Sequence, residues 1–157
     1  MPMSPDVFKT ILAMDAYNRG NRQGVKVSST EIGNALVLPD SVSRLGSSSS
    51  NTGFFATSYI WNGQQVISFR GTDPESGSEF IKDVTHGWPL GAGSNNADQA
   101  QQAIEFYKNV AGVQSLRDSP TTSVILTGHS LGGGLAGFIG SLTSHSNSSA
   151  IVSGRQD

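Results

Sequence analysis

At 157 residues the chain has the size of one domain with a single sizeable core. A net charge of −2 and the lack of any basic stripe exclude the electrostatic footprint of a nucleic-acid binder. The absence of cysteine excludes disulfides and thiolate chemistry. Met1 to Thr10 shows no basic segment followed by an apolar core, so no Sec-type signal is read there. No apolar run approaches the roughly 18 residues that span a bilayer. The expectation is a soluble protein, cytoplasmic or exported without a Sec signal.

Ser4-Pro5-Asp6 reads as a helix start: an N-cap, a proline at the first helical position and an acidic first turn. The spacing predicts an amphipathic helix over 5–19 with Val7, Phe8, Ile11, Leu12, Ala16 and Tyr17 on its apolar face and Gly20 as its stop. Gly24 to Ser28 reads as a short edge strand, and Thr30 to Leu36 as a short helix ended before Pro39. Ser47 to Ser50 is a serine run read as a loop within one domain. Phe54 to Ile60 and Gln64 to Phe69 form a strand pair around Trp61-Asn62-Gly63, because Asn-Gly is the strongest short hairpin signal.

Phe80, Ile81 and Val84 lie at helical spacing within 76–84, before a Gly/Ser/Asn loop. A helix over 96–111 follows, with Ala100, Ala103, Ile104, Tyr107 and Ala111 on its apolar face and Gly112 at its end. Ser123 to Thr127 is a β-branched run that reads as a buried parallel strand. After Ser144 the chain turns polar, with Ala150-Ile151-Val152 offering at most one more short strand. There are no internal repeats. The order of elements predicts an α/β fold, with 1–144 as the fold and 145–157 as a polar tail of one domain, 1–157.

Chemistry concentrates at Gly128-His129-Ser130-Leu131-Gly132, which fits Gly-x-Ser-x-Gly between that strand and an apolar helical pattern at Leu131, Leu135, Phe138, Ile139 and Leu142. Strand, tight glycine-flanked serine and helix are the context a nucleophile elbow requires. The amides at the helix start then stand beside the serine, ready for a developing oxyanion.

Phe69-Arg70-Gly71-Thr72 together with Thr127-Gly128-His129-Ser130-Leu131-Gly132-Gly133 resembles the class 3 lipases, a branch of the α/β-hydrolase fold acting on acylglycerols and related esters. The similarity runs from about Phe54 to about Ser144. It implies that Ser130 is the nucleophile and that Thr72 supplies the oxyanion hole from its backbone amide and hydroxyl. The backbone N–H of Leu131 is the implied second donor. Losing one such donor costs about 2.7–4 kcal/mol in related sites. Asp83 falls in a segment the family keeps and is read as structural. Residues 74–93, with Phe80, Ile81, Val84, Trp88 and Leu90, lie where the family carries its lid, and an ordinary packed helix is the other reading.

His129 neighbours the serine, but adjacent side chains in an elbow point apart, so it is read as a packed histidine. Asp73 and Glu75 are read as solvated, since carboxylates facing the site would oppose an oxyanion. A serine hydrolase also needs a base and an acid to orient it. In α/β-hydrolases these follow the serine in the order acid, then histidine. After Ser130 come only His145 and Asp157, in the reverse order. His145 lies at the far end of the elbow helix, about 20 Å from Ser130 at 1.5 Å per residue. His86 precedes the serine and matches no family position.

No acid or base is assigned, and a partial α/β-hydrolase fold lacking its C-terminal strands is expected, with a central sheet flanked by helices. An end after the elbow helix would leave the 123–127 strand at a sheet edge, so homo-oligomerisation or pairing with another polypeptide across that edge is expected. The expected activity is a carboxylic ester hydrolase of lipase or esterase type, acting on an acylglycerol or other ester at a lipid interface. The alternatives are a catalytically incomplete fragment or half of a split enzyme, and a plain α/β binding module. No cofactor is implied. Histidines at 86, 129 and 145 have no ligand spacing, so no metal is expected.

Overall fold

Burial on both faces sets the architecture: β4 (Gln64–Phe69) and β5 (Val124–His129) are buried along most of their length, with successive residues on opposite sides. Val66 and Ile125 face one side of the sheet, and Ile67, Phe69, Val124 and Leu126 face the other. The computed structural model describes residues 4–20, 30–38, 54–71, 95–143 and 151–153. Among the described residues six strands join in sequence order: β1 (Glu31–Ile32), β2 (Ala35–Val37), β3 (Ala56–Trp61), β4, β5 and β6 (Ile151–Ser153). The first four pair antiparallel, and β4, β5 and β6 are mutually parallel.

Helix α1 (Pro5–Gly20) covers one face, burying Phe8 and Leu12 against Tyr59, Trp61, Val66 and Ile125. Helices α2 (Asn95–Ala111) and α3 (Leu131–Leu142) cover the other, where Phe106, Tyr107, Leu135 and Ile139 meet Phe54, Ile67, Phe69 and Leu126. Two cores on opposite faces of one sheet make a three-layer α/β architecture. Among the described residues no helix is long and apolar enough to cross a membrane.

The β3–β4 hairpin forms as its sequence dictates. Asn62 and Gly63 both take positive φ, 50° and 76°, which matches the twist of the flanking strands. Helix α2 stops as expected at Gly112, whose φ of 68° lets the Val113 amide donate back to the Lys108 carbonyl at 3.0 Å.

Three expectations are corrected. Thr30 to Leu36 is not a helix: Glu31–Ile32 and Ala35–Val37 are paired strands around a Gly33-Asn34 turn with Gly33 at φ 58°. Pairing of Leu36 with Ile60 and Val37 with Tyr59 draws this segment into the sheet and overrides its short helical spacing. Val7 and Ile11 are not on the buried face of α1; they stand 52% and 36% exposed, because the inward arc is set by Phe8, Leu12, Asp15 and Ala16. Nor is β5 a sheet edge. β6 pairs with it in parallel, Thr127 opposite Ile151 and His129 opposite Ser153, so the edge invoked for oligomerisation is already occupied. The tail thus contributes one strand beyond α3. The strand expected at 24–28 and the helix at 76–84 lie outside the described residues.

Helix α1 docks through polar contacts as well as apolar ones. Ser68 Oγ donates to the Leu12 carbonyl at 3.1 Å and Thr127 Oγ1 to that of Lys9 at 3.4 Å. The Tyr59 hydroxyl donates to Asp15 Oδ2 at 2.8 Å, and Asp15 also accepts from Arg19. Burial, and then the adjacent Asp15 carboxylate, push the Tyr59 phenol far above its ordinary value of 10.0. Above that value the unfolded chain releases a proton that the native state keeps. Stability therefore falls as pH rises past about 10, by about 1.4 kcal/mol per pH unit from this group. Denaturant unfolding from pH 9 to 11.5 is expected to show this slope in the wild type, and Tyr59→Phe should lack it.

Candidate active site

Strand β5 delivers its last residue, His129, straight into a one-residue turn at Ser130, and α3 begins at Leu131. Ser130 has φ 55° and ψ −124°, a conformation that side chains rarely adopt. Its carbonyl accepts from the Gly133 and Gly134 amides at 2.9 and 3.3 Å, which closes the first turn of α3. Helix geometry gives the Leu131 and Gly132 N–H groups no acceptor inside α3, so both stand at the mouth of the turn.

The two glycines of the motif are required by close approach. A Cβ on Gly128 would stand 2.8 Å from the Gly133 nitrogen. One on Gly132 would stand 2.7 Å from the Phe69 carbonyl carbon and 2.9 Å from that of Arg70. All three distances are below any real Cβ contact, and the obstacles are backbone. Gly128 thus lets α3 fold back on β5, and Gly132 lets the start of α3 rest on the end of β4.

That second contact carries the two sequence motifs to one place. Phe69 pairs with Gly128, so the chain leaving β4 runs alongside the turn. A Cβ on Gly71 would lie 3.2 Å from Ser130 Cβ and 2.6 Å from the His129 carbonyl oxygen. Gly71 is therefore packed against Ser130. Thr72, the next residue, lies outside the described residues, as do Asp73, Glu75, Asp83, His86, His145, Asp157 and the segment expected as a lid.

His129 is half-buried. Strand alternation directs it to the α1 face with Thr127, whereas Gly128 faces α3. Sequence reasoning did not find the polar cluster of Tyr59, Asp15 and Arg19 on that face. Its partners are 44 residues apart in the chain, and no local pattern links them.

Chemically, the described site offers a primary hydroxyl on a strained turn, main-chain N–H groups at a helix start beside it, and a second strand end in contact. No curated protein and no solved structure matches the chain. A family model does: residues 9–152 match the Tle-like phospholipase domain, described as phospholipase-like. At this level the match agrees with a lipase-like hydrolase of lipid esters. The match takes in nearly the whole chain, from α1 to β6, and the chain therefore belongs to the Tle-like phospholipase domain family.

Proposed function

We propose that the chain hydrolyses a carboxylic ester of a phospholipid through an acyl-enzyme on Ser130. The observation that carries this reading is the Ser130 turn itself, with φ 55° between β5 and α3 and Gly71 packed against it. Ser130 Oγ attacks the ester carbonyl carbon and gives its proton to a base. The carbonyl oxygen becomes an oxyanion held by the Leu131 N–H and by the amide and hydroxyl of Thr72. Collapse breaks the bond to the glyceryl oxygen, which takes up the proton. Water then releases the fatty acid and restores the serine.

Among the described residues His129 is the sole histidine, and strand alternation turns it toward α1. A histidine base therefore comes from outside the described residues, together with the acid that orients it in such a triad. In the split-enzyme form of the reading, a second polypeptide donates them. The test is release of free fatty acid and lysophospholipid from a phosphatidyl substrate, measured by mass spectrometry. Stoichiometric release of both supports the reading. Release of phosphorylated headgroup instead, or of diacylglycerol, contradicts it, because those products require cleavage at phosphorus.

A further inference from the structure

Two hydroxyls tie the ends of β4 and β5 to α1 just short of the serine turn. Ser68 and Thr127 are partners in the β4–β5 register, and both are fully buried. Ser68 Oγ donates to the Leu12 carbonyl at 3.1 Å, and Thr127 Oγ1 donates to the Lys9 carbonyl at 3.4 Å. Those carbonyls lie three residues apart, about one turn of α1, on the side that faces the sheet. Gly71 and Ser130 stand three residues beyond Ser68 and Thr127 along the chain. There they meet: a Cβ on Gly71 would lie 3.2 Å from Ser130 Cβ. The contact at the site thus continues the tied pair, one short span further along two parallel segments.

Further from the site, the same face of the sheet meets α1 through Tyr59, Val66 and Ile125. Apolar side chains of similar size would fill the Ser68–Thr127 row as well. Apolar contact has no direction, however, and a helix resting on it alone can slide. A hydroxyl that meets one carbonyl fixes its strand against a single residue of the helix. Each carbonyl has two lone pairs, so Lys9 and Leu12 keep their helical bonds while accepting these. On the opposite face Gly132 seats the start of α3 on the end of β4. The strand ends are held from both sides, by close backbone packing on one and by hydroxyls on the other. The geometry points to Ser68 and Thr127 as positioning residues that tie β4 and β5 to α1 and so fix the spacing between Gly71 and Ser130. Its catalytic consequence rests on the ester-hydrolase reading above; the spacing itself does not.

The experiment separates the hydroxyl from the packing. Thr127→Val keeps the shape and removes the hydroxyl, whereas Thr127→Ser keeps the hydroxyl and removes a methyl. Thr127→Val is expected to lower kcat on a phosphatidyl substrate about 10-fold, and Thr127→Val combined with Ser68→Ala about 100-fold, with KM within about twofold. A displacement of about 1 Å at a reacting centre can cost about 10²-fold. Thr127→Ser is expected to lose stability through the small cavity it opens, yet to hold kcat within about threefold. The Lys9 and Leu12 carbonyls keep their helical partners in every variant, so no buried polar group is stranded and the fold is expected to survive. A kcat loss in Thr127→Ser as large as in Thr127→Val would overturn the assignment, and so would a loss carried by KM or no loss in the double variant. Hydrogen exchange reads the spacing without catalysis, at the Arg70 and Gly133 amides, which donate to the Phe55 and Ser130 carbonyls on either side of the Gly71–Ser130 contact. In the double variant both are expected to exchange about 10-fold faster, while the Val66 and Ile125 amides keep their wild-type rates. Equal acceleration at all four, as a general loss of stability predicts, would overturn the assignment, as would unchanged rates at Arg70 and Gly133. If even the wild type hydrolyses no lipid but the local exchange difference is found, the hydrolase reading fails and the positioning role stands.

Discussion

Gly132→Ala is expected to cost more than about 3 kcal/mol of unfolding free energy and to abolish activity with it. A methyl in the wrong place in a packed interior costs about 1–3 kcal/mol when side chains can give way. Here they cannot, because the Cβ would meet the carbonyl carbons of Phe69 and Arg70 at 2.7 and 2.9 Å. Either α3 lifts off the sheet or the end of β4 moves. Both displace Gly71 from Ser130, so stability and chemistry fail together. Gly137→Ala is the control. It lies in the same helix, nothing stands within 4 Å of its added Cβ, and the substitution should stabilise by about 0.5–1 kcal/mol. Urea unfolding of the two variants reads the difference. A Gly132→Ala protein as stable as wild type would show that the helix start does not rest on β4.

Ser130 separates the two effects that Gly132 joins. Ser130→Ala is expected to lower kcat by a factor on the order of 10⁵–10⁶ while leaving the fold intact, since only the hydroxyl is lost. Ser130→Gly should be equally inactive but more stable than Ser130→Ala, by about 1 kcal/mol. The φ of 55° is strained for any residue with a Cβ, and relief of that strain outweighs the added freedom of the unfolded glycine. Paired turnover and unfolding measurements on the two variants test this. Equal stabilities would mean the turn relaxes in solution.

Ser130 and its surroundings were legible because their signals are local. The β-branched strand, the glycine pair and the apolar helix follow one another within 20 residues, and each structural role is enforced by its neighbours. The Asn62-Gly63 hairpin was legible for the same reason. Thr30 to Leu36 was misread although Gly33-Asn34 is itself a hairpin signal, because strands of two and three residues leave too short a run for alternation to show. The exposed Val7 and Ile11 were misplaced because α1 carries apolar residues around most of its circumference. Which arc faces inward is then decided by the sheet, through Ser68, Thr127 and Tyr59. Ala150-Ile151-Val152 was legible as a short strand, but nothing local in the sequence sets it beside β5. Contact between Gly71 and Ser130 depends on the parallel register of two strands far apart in the chain. The sequence motifs implied it only by resemblance.

Membership in the Tle-like phospholipase domain family makes the lipid-ester chemistry of the chain a family trait. What Ser130 does within it is the central claim, and a fluorophosphonate probe followed by peptide mass spectrometry tests that claim most directly. A covalent adduct on Ser130 is expected, formed by the wild type and absent from Ser130→Ala. If a second polypeptide donates the acid and base, the adduct appears only when that polypeptide is present. An adduct on another residue that persists in Ser130→Ala would contradict the account.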